Sequence, residues 1–360
     1  MVHLLMVLEH IGKYHLENNN NMKTAKKVLF ILKKRQIYSN TSYSTTSSGL
    51  FNSANFVNDM LLKNCIDTKI IEVLDNNEIN KHVTENKPDI VIIEALWVVP
   101  SKFEVLQKLH PKVKWIIRLH SELPFIANEG VAMEWLREYI KYSNVIISSN
   151  SKYFIESMTP LIGKIDYLPN YYPISKPVGG NCKVKNDKVI NIGLFGAIRP
   201  LKNGLTQTVA AIIYANEKNK VLNFHINSSR VEQDGQNGLK NIKALFKDTK
   251  HTLVEHGWLN HSEFIYLVSK MDIGLQVSLS ETYNIVAADF VNQEIPIVTC
   301  KEISFVSSLS QVNVTKDAKE IKDTIKTTLR IATTLKFINK HLLSKNSKAS
   351  EAVWVKYLKK

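Results

Sequence analysis

Ile192-Gly193-Leu194-Phe195-Gly196-Ala197-Ile198-Arg199-Pro200-Leu201-Lys202-Asn203 is the stretch on which the fold turns. The apolar run at 189–195 predicts a buried strand, and a helix is predicted over 203–217. Between them, Gly196 lets the backbone turn and lets a ligand approach closely. Arg199 and Lys202 fall just ahead of the helix. Backbone N–H groups at a helix start, joined by two fixed cations, suit a diphosphate. A tight turn carrying two solvated charges is the other reading of the same residues.

Outward from this motif the chain alternates. Runs rich in Val and Ile at 27–32, 69–74, 89–93, 113–119 and 144–148 predict buried strands. Helices are predicted between them at 50–64 and 131–142; Leu50, Ala54, Val57 and Leu61 recur at helical spacing in the first. Such alternation predicts a parallel sheet with right-handed crossovers. It pauses at Leu168-Pro169-Asn170-Tyr171-Tyr172-Pro173, and a polar stretch from Ser175 to Lys188 reads as a linker. A second set follows, with strands at 221–226, 252–255, 272–277 and 295–299 and helices at 236–247, 261–270 and 284–292. The expected division is a tail at 1–21, a domain at 22–172, a linker at 173–188, a domain at 189–345 and a closing helical segment at 346–360. Ala352, Val353, Val355 and Leu358 lie on that last helix, predicted over 350–358. Two doubly wound domains place a cleft at the carboxyl ends of both sheets, where ligands bind in open α/β folds.

A second motif, Ser280-Glu281-Thr282-Tyr283-Asn284-Ile285-Val286-Ala287-Ala288-Asp289, follows the predicted strand 272–277. With Thr282 as a helix start, Glu281 stands at the helix mouth and Asp289 about two turns on. A carboxylate at the mouth can accept hydroxyls of a sugar, and one further along can take a ribose diol. Alternatively, Glu281 simply caps the helix.

The 360 residues are 44% hydrophobic and 22% charged, a globular balance with room for two domains. Runs such as Ile90-Val91-Ile92-Ile93 fall far short of the ~20 residues of a membrane span. Met1 to Leu8 are broken by His3 and lack a basic flank, so no signal peptide is read there. Cys65, Cys182 and Cys300 are scattered, which fits a reducing cytoplasm better than a disulfide framework. The net charge of +14 comes from 47 basic residues, of which only Arg35, Arg118, Arg137, Arg199, Arg230 and Arg330 are arginine. Lysine and asparagine richness alone reflects an AT-rich genome. The basic excess favours an anionic partner, whether a nucleotide-sugar, a membrane surface or nucleic acid.

Together the two motifs resemble glycosyltransferase family four, whose members have the GT-B fold. Gly196, Arg199, Lys202 and Asn203 match that family's phosphate loop, Glu281 its first acid, and Ile295-Pro296-Ile297-Val298 its closing strand. Asp289 stands where the family usually has Glu. The likeness runs from about residue 26 to residue 300, and the terminal helix with Trp354 resembles the family's last helix, which crosses back to the first domain. The resemblance implies sugar transfer from a nucleotide-diphosphate sugar to an acceptor hydroxyl, with retention. It implies donor contacts from Gly196, Arg199, Lys202, Asn203, Glu281, Thr282, Asn284 and Asp289. It also implies a histidine near the transferred sugar, a role that falls to His120 in Arg118-Leu119-His120-Ser121-Glu122. Catalysis would then rest on His120, Glu281, Arg199 and Lys202.

On the acceptor side, Glu94 either faces the cleft or pairs with Arg118 as a buried ion pair. Trp97 and Glu122 stand nearby, and Gly49, within 43–53, occupies the place of the family's first glycine-rich loop. No Asp-x-Asp pair occurs to hold a metal on the diphosphate, so Arg199 and Lys202 are expected to neutralise it without metal or other cofactor.

Ile93-Glu94-Ala95-Leu96-Trp97, the Arg118–Glu122 run and the 168–173 run also resemble glycosyltransferases of tailed bacteriophages. That likeness implies an acceptor of hydroxymethylated pyrimidine in DNA, within the host cytoplasm. The basic excess would then contact phosphates, and the base would be extruded to meet the sugar. Tyr171, Tyr172 and Trp97 would stack on such a base, or else pack between the domains. Competing readings are a lipid carrier or surface glycan as acceptor, without a convincing basic amphipathic helix to dock it, and a non-catalytic nucleotide-sugar-binding protein.

Overall fold

The computed structural model describes residues 26–34, 49–178 and 187–359. The expected tail at 1–21, Cys182 and the start of the Ser/Thr-rich 43–53 segment lie outside the described residues.

The first half builds a six-stranded sheet from β1 (Val28–Lys33), β2 (Thr68–Val73), β3 (Ile90–Glu94), β4 (Lys114–Leu119), β5 (Val145–Ser149) and β6 (Asp166–Tyr167). Every pairing is parallel, in the order β2-β1-β3-β4-β5-β6. The crossovers carry α1 (Gly49–Lys63), α2 (Ile79–Asn86), α3 (Lys102–Leu109), α4 (Leu123–Ile126), α5 (Ala132–Tyr139) and α6 (Lys152–Ile162). All five residues of β3 are buried, as a central strand covered on both faces requires. One face packs Ile31, Ile93 and Ile117 against Phe103 and Tyr139. The other packs Phe30, Ile92 and Ile116 against α1 and Trp354.

The second half repeats the plan with β7 (Val189–Leu194), β8 (Val221–Asn227), β9 (Thr252–His256), β10 (Ile273–Gln276), β11 (Ile297–Cys300) and β12 (Gln311–Val312). These strands are also parallel, in the order β12-β11-β10-β7-β8-β9. The helices are α7 (Gly204–Glu217), α8 (Gln236–Ala244), α9 (His261–Val268), α10 (Ile285–Asn292), α11 (Ala318–Arg330) and α12 (Ala332–Leu358). Gly274 is small for a packing reason. A methyl there would lie 2.6 Å from the Phe290 ring, which α10 lays over β10.

Strand order reverses between β1 and β3 in one sheet and between β7 and β10 in the other. In a doubly wound sheet the crossover helices diverge at such a point and leave a crevice.

The helix expected over 350–358 is the end of a 27-residue helix. Its buried stripe reads Leu335, Asn339, Leu343, Ser347, Ser350, Trp354 and Leu358. Three polar members interrupt the hydrophobic period, and two of them make hydrogen bonds away from the helix. Asn339 accepts from the Ser307 amide at 2.8 Å, and Ser347 donates to the Tyr172 carbonyl at 2.8 Å. Leu343 packs in the second half, while Trp354 packs under the first sheet. The Trp354 indole donates to the Pro169 carbonyl at 2.7 Å. Among the described residues, no helix is long and apolar enough to cross a membrane.

Candidate active site

The second half supplies the cationic wall. After β7, the Phe195 carbonyl accepts from Gln276 at 2.9 Å, and Gly196 turns at φ +110°. A residue with a Cβ resists that angle, so glycine fits here for backbone reasons. The Gly196 amide donates to Asn227 at 3.0 Å. Pro200–Lys202 form one 3-10 turn, and Asn203, left-handed at φ 53°, leads into α7. The Asn203 side chain donates to the Lys316 carbonyl and does not line the cleft.

Lys202 pairs with Glu281. The same Glu281 oxygen accepts from Ser278 at 2.7 Å and from Asn284 at 3.0 Å. Asn284 also caps α10, accepting the Ala287 amide at 2.9 Å. So the helix starts at Ile285, not Thr282, and Glu281 does not cap it. Asn284 competes better for the cap because its short amide reaches back to the third helical N–H. Glu281 is left aimed at Lys202, and Asp289 sits just over one turn into α10.

Arg199 borders the cleft and reaches the other half. Its guanidinium stands 4.9 Å from the Phe125 ring and 3.7 Å from Glu232. Its Nε is buried without a hydrogen-bond partner. A desolvated donor with no acceptor is costly, so it marks a place where an acceptor is wanted.

Asp289 is almost fully buried. Its Oδ1 accepts from Tyr172 at 2.7 Å and from His261 at 2.9 Å. Burial raises the Asp289 pKa against the pull of His261 and Tyr172. Burial acts to lower the His261 pKa, but the hydrogen bond and charge of Asp289 raise it overall.

In the first half, Glu94 ends β3 and is fully buried. Arg118 holds it with one nitrogen, 3.0 and 3.2 Å from its two oxygens. The rest of the Arg118 fork donates to the Leu168 and Pro169 carbonyls and to Asn170. Glu94 also pairs with His120. Glu94 is thus the buried ion pair with Arg118, and although it borders the cleft its carboxylate is taken up by Arg118 and His120. Burial would raise its pKa, but Arg118 and His120 bring it below the usual value. Burial and the Arg118 charge lower that of His120. Arg118 itself is sealed from the cleft.

Ala95 turns the chain at φ 70°, and Trp97 then donates its indole N–H to the Glu94 carbonyl at 3.0 Å. Glu122 accepts from Ser151, and burial raises its pKa. Gly49 opens α1 at the cleft edge.

The two halves meet directly. Thr282 donates to the His120 carbonyl at 3.1 Å, and Asn150 donates to Thr282 at 3.1 Å. The cleft between them has a volume of ≈ 390 Å³. Gly49, Glu94, Trp97, His120 and Glu122 line one wall, and Gly196, Arg199, Lys202, Glu281, Thr282, Asn284 and Asp289 line the other. Tyr171 and Tyr172 pack in the hydrophobic clusters and do not line it. Sequence reasoning overlooked Asn227, Arg230, Trp258 and His261, which complete the second wall. The Arg230 guanidinium stands 4.7 Å from the Trp258 ring and pairs with Glu232. All but His261 follow the carboxyl end of β8 or β9, the rule that would have found them.

Two facing doubly wound domains around one cleft make an architecture that comparison can test. The fold is GT-B. Sucrose-phosphate synthase from Thermosynechococcus elongatus superposes with a TM-score of 0.66 at 12% identity, over 92% of this chain and 97% of that one. HepE of Anabaena, solved in complex with UDP and glucose, gives 0.63 at 12% identity, over 93% and 99%. An α,α-trehalose-phosphate synthase (UDP-forming) from Burkholderia vietnamiensis gives 0.65 at 11% identity, over 93% and 97%. No family model matches the chain, and no curated protein matches it. At such identities the likeness establishes the GT-B fold and no more, so activity must be argued from the side chains.

Proposed function

We propose that the protein is a glycosyltransferase that takes its sugar from a nucleotide-diphosphate sugar, retains the anomeric configuration and needs no metal. The observation that carries this reading is the convergence of Arg199, Lys202 and Glu281 on one cleft wall, with a buried Arg199 Nε awaiting an acceptor. Two cations beside a glycine turn suit a diphosphate, and Glu281 suits the hydroxyls of the transferred sugar. In the transfer, the acceptor oxygen bonds to the anomeric carbon as the bond from that carbon to the phosphate oxygen breaks on the same face. The hydroxyl proton passes to the departing phosphate oxygen, and the nucleoside diphosphate leaves. Arg199 and Lys202 offset its growing charge. His120, backed by Glu94, positions the sugar from the opposite wall.

The proposed acceptor is a hydroxymethylated pyrimidine in DNA, in keeping with the phage-like runs. The net charge of +14 supports a polyanionic acceptor, and Trp97 at the cleft offers an aromatic face to an extruded base. Mass spectrometry after incubation with a nucleotide-sugar panel and hydroxymethylcytosine- or hydroxymethyluracil-containing DNA tests the proposal. A hexose or pentose mass added to the modified base is expected. Sugar found on a lipid or glycan instead would move the acceptor and leave the transferase reading. Binding of nucleotide-sugars without turnover on any acceptor would mark a non-catalytic binding protein.

A further inference from the structure

We propose that His261, not Asp289, contacts the ribose of the bound nucleotide, and that Asp289 serves to orient His261. The inference rests on the nucleotide-diphosphate reading of the cleft.

Asp289 is poorly placed to serve a ligand as it stands. Its side chain is 2% exposed, against 29% for His261, although both border the cleft. Its Oδ1 already takes two donors, the Tyr172 hydroxyl and the His261 imidazole. His261 occupies the first position of α9, capped by Asn260 through a reciprocal capping box with Glu263. That cap fixes the backbone from which the imidazole projects. The Phe56 ring, from α1 of the other half, meets the imidazole edge-on at 5.3 Å and holds its plane.

The chemistry follows from the tautomer. An anionic Asp289 at 2.9 Å from Nε2 keeps the proton on that nitrogen. Nδ1 is then the ring nitrogen left over, and among the described residues no side chain bonds to it. On a histidine that borders the cleft, Nδ1 can pair with a ribose hydroxyl, as acceptor when the imidazole is neutral and as donor when it is charged. Imidazole with a carboxylate behind it thus carries the polar contact one residue further out than Asp289 itself. The pairing gives His261 a specificity role, since a sugar lacking the hydroxyl leaves Nδ1 unsatisfied.

Calorimetry on the full chain tests this, using UDP, GDP and ADP against their 2′-deoxy and 3′-deoxy counterparts, with inorganic pyrophosphate as control. The intact protein should prefer the ribonucleotide over at least one deoxy counterpart by about tenfold, the scale of one hydrogen bond. His261→Phe, which keeps the ring beside Phe56, should bring that preference close to one while leaving pyrophosphate affinity unchanged. His261→Gln should retain part of it. Unchanged pyrophosphate affinity also reports an intact cationic wall. Preference that persists in His261→Phe and vanishes in Asp289→Asn would overturn the inference, as would equal affinity for ribo- and both deoxynucleotides in the intact protein. If none of the nucleoside diphosphates binds, the reading of the cleft itself fails and this inference with it.

Discussion

The Thr282 hydroxyl donates to the main-chain carbonyl of His120 at 3.1 Å, so the residue beside Glu281 in one domain is tied to the cleft histidine of the other. The contact holds the two walls of the cleft together. Thr282→Val removes the donor at nearly constant shape. We predict a loss of about 1 kcal/mol in closure, near fivefold in apparent donor affinity. Thr282→Ser should restore most of it. Small-angle scattering of the donor-bound protein should show Thr282→Val more open than the parent.

Arg118 is the second point of test. Its guanidinium binds Glu94, two carbonyls and Asn170, and its centre lies 5.1 Å from the Trp354 ring. Replacing it by Met leaves the Glu94 carboxylate buried beside only His120. Such a broken pair costs about 3–5 kcal/mol. Urea denaturation should show that loss, and Glu94→Gln should soften it when combined with Arg118→Met.

Much of this organisation is legible in the sequence, and the remainder is hidden for physical reasons. The Val- and Ile-rich runs placed the central strands of both sheets to within a residue or two, because strands buried on both faces need continuous apolar runs. Helices α2, α3, α6 and α11 left weaker traces; α2 reads Ile79-Asn80-Lys81-His82-Val83, with only two buried side chains. The Lys202–Glu281 pair was within reach because each residue lies in a local motif. Its distance in sequence hid the Tyr172–Asp289–His261 cluster, which joins the end of the first domain, α10 and α9. No spacing rule links residues brought together only by packing two domains. Glu94 illustrates the same limit. Facing the cleft and pairing with Arg118 were alternatives in sequence; the parallel register of β3 on β4 makes the Arg118 pair, and the contact to His120 was not foreseen.

Acid should destabilise the second half. His225 and His256 stack with rings 5.2 Å apart, and the nitrogen of one lies 2.9 Å from that of the other. Burial, then the neighbouring His256, pushes the His225 pKa down to about 4 from 6.5. A depressed base is neutral in the fold and charged when unfolded. Its stabilising effect is therefore complete above pH 6.5 and is lost as pH falls towards about 4. Urea midpoints should decline across that interval, and His225→Gln should flatten the decline.

Glu281→Gln should separate binding from turnover. The amide keeps contacts to Ser278 and Asn284 but loses the charge opposite Lys202. Turnover should drop by about 10²-fold or more, the scale for a lost charge-stabilising group, while nucleoside diphosphate affinity holds within a few-fold. Transfer should also persist in EDTA; activity abolished by EDTA and restored by magnesium or manganese would contradict the metal-independent mechanism.

The central claim is that Arg199 and Lys202 hold a diphosphate, and titration calorimetry with UDP, GDP and ADP addresses it most directly. At least one nucleoside diphosphate should bind the parent protein. Arg199→Ala and Lys202→Ala should each weaken it by about 1.5–3 kcal/mol, the range for a hydrogen bond to a charged group. Affinity that is unchanged in both variants, or absent in the parent for all three, would contradict the account.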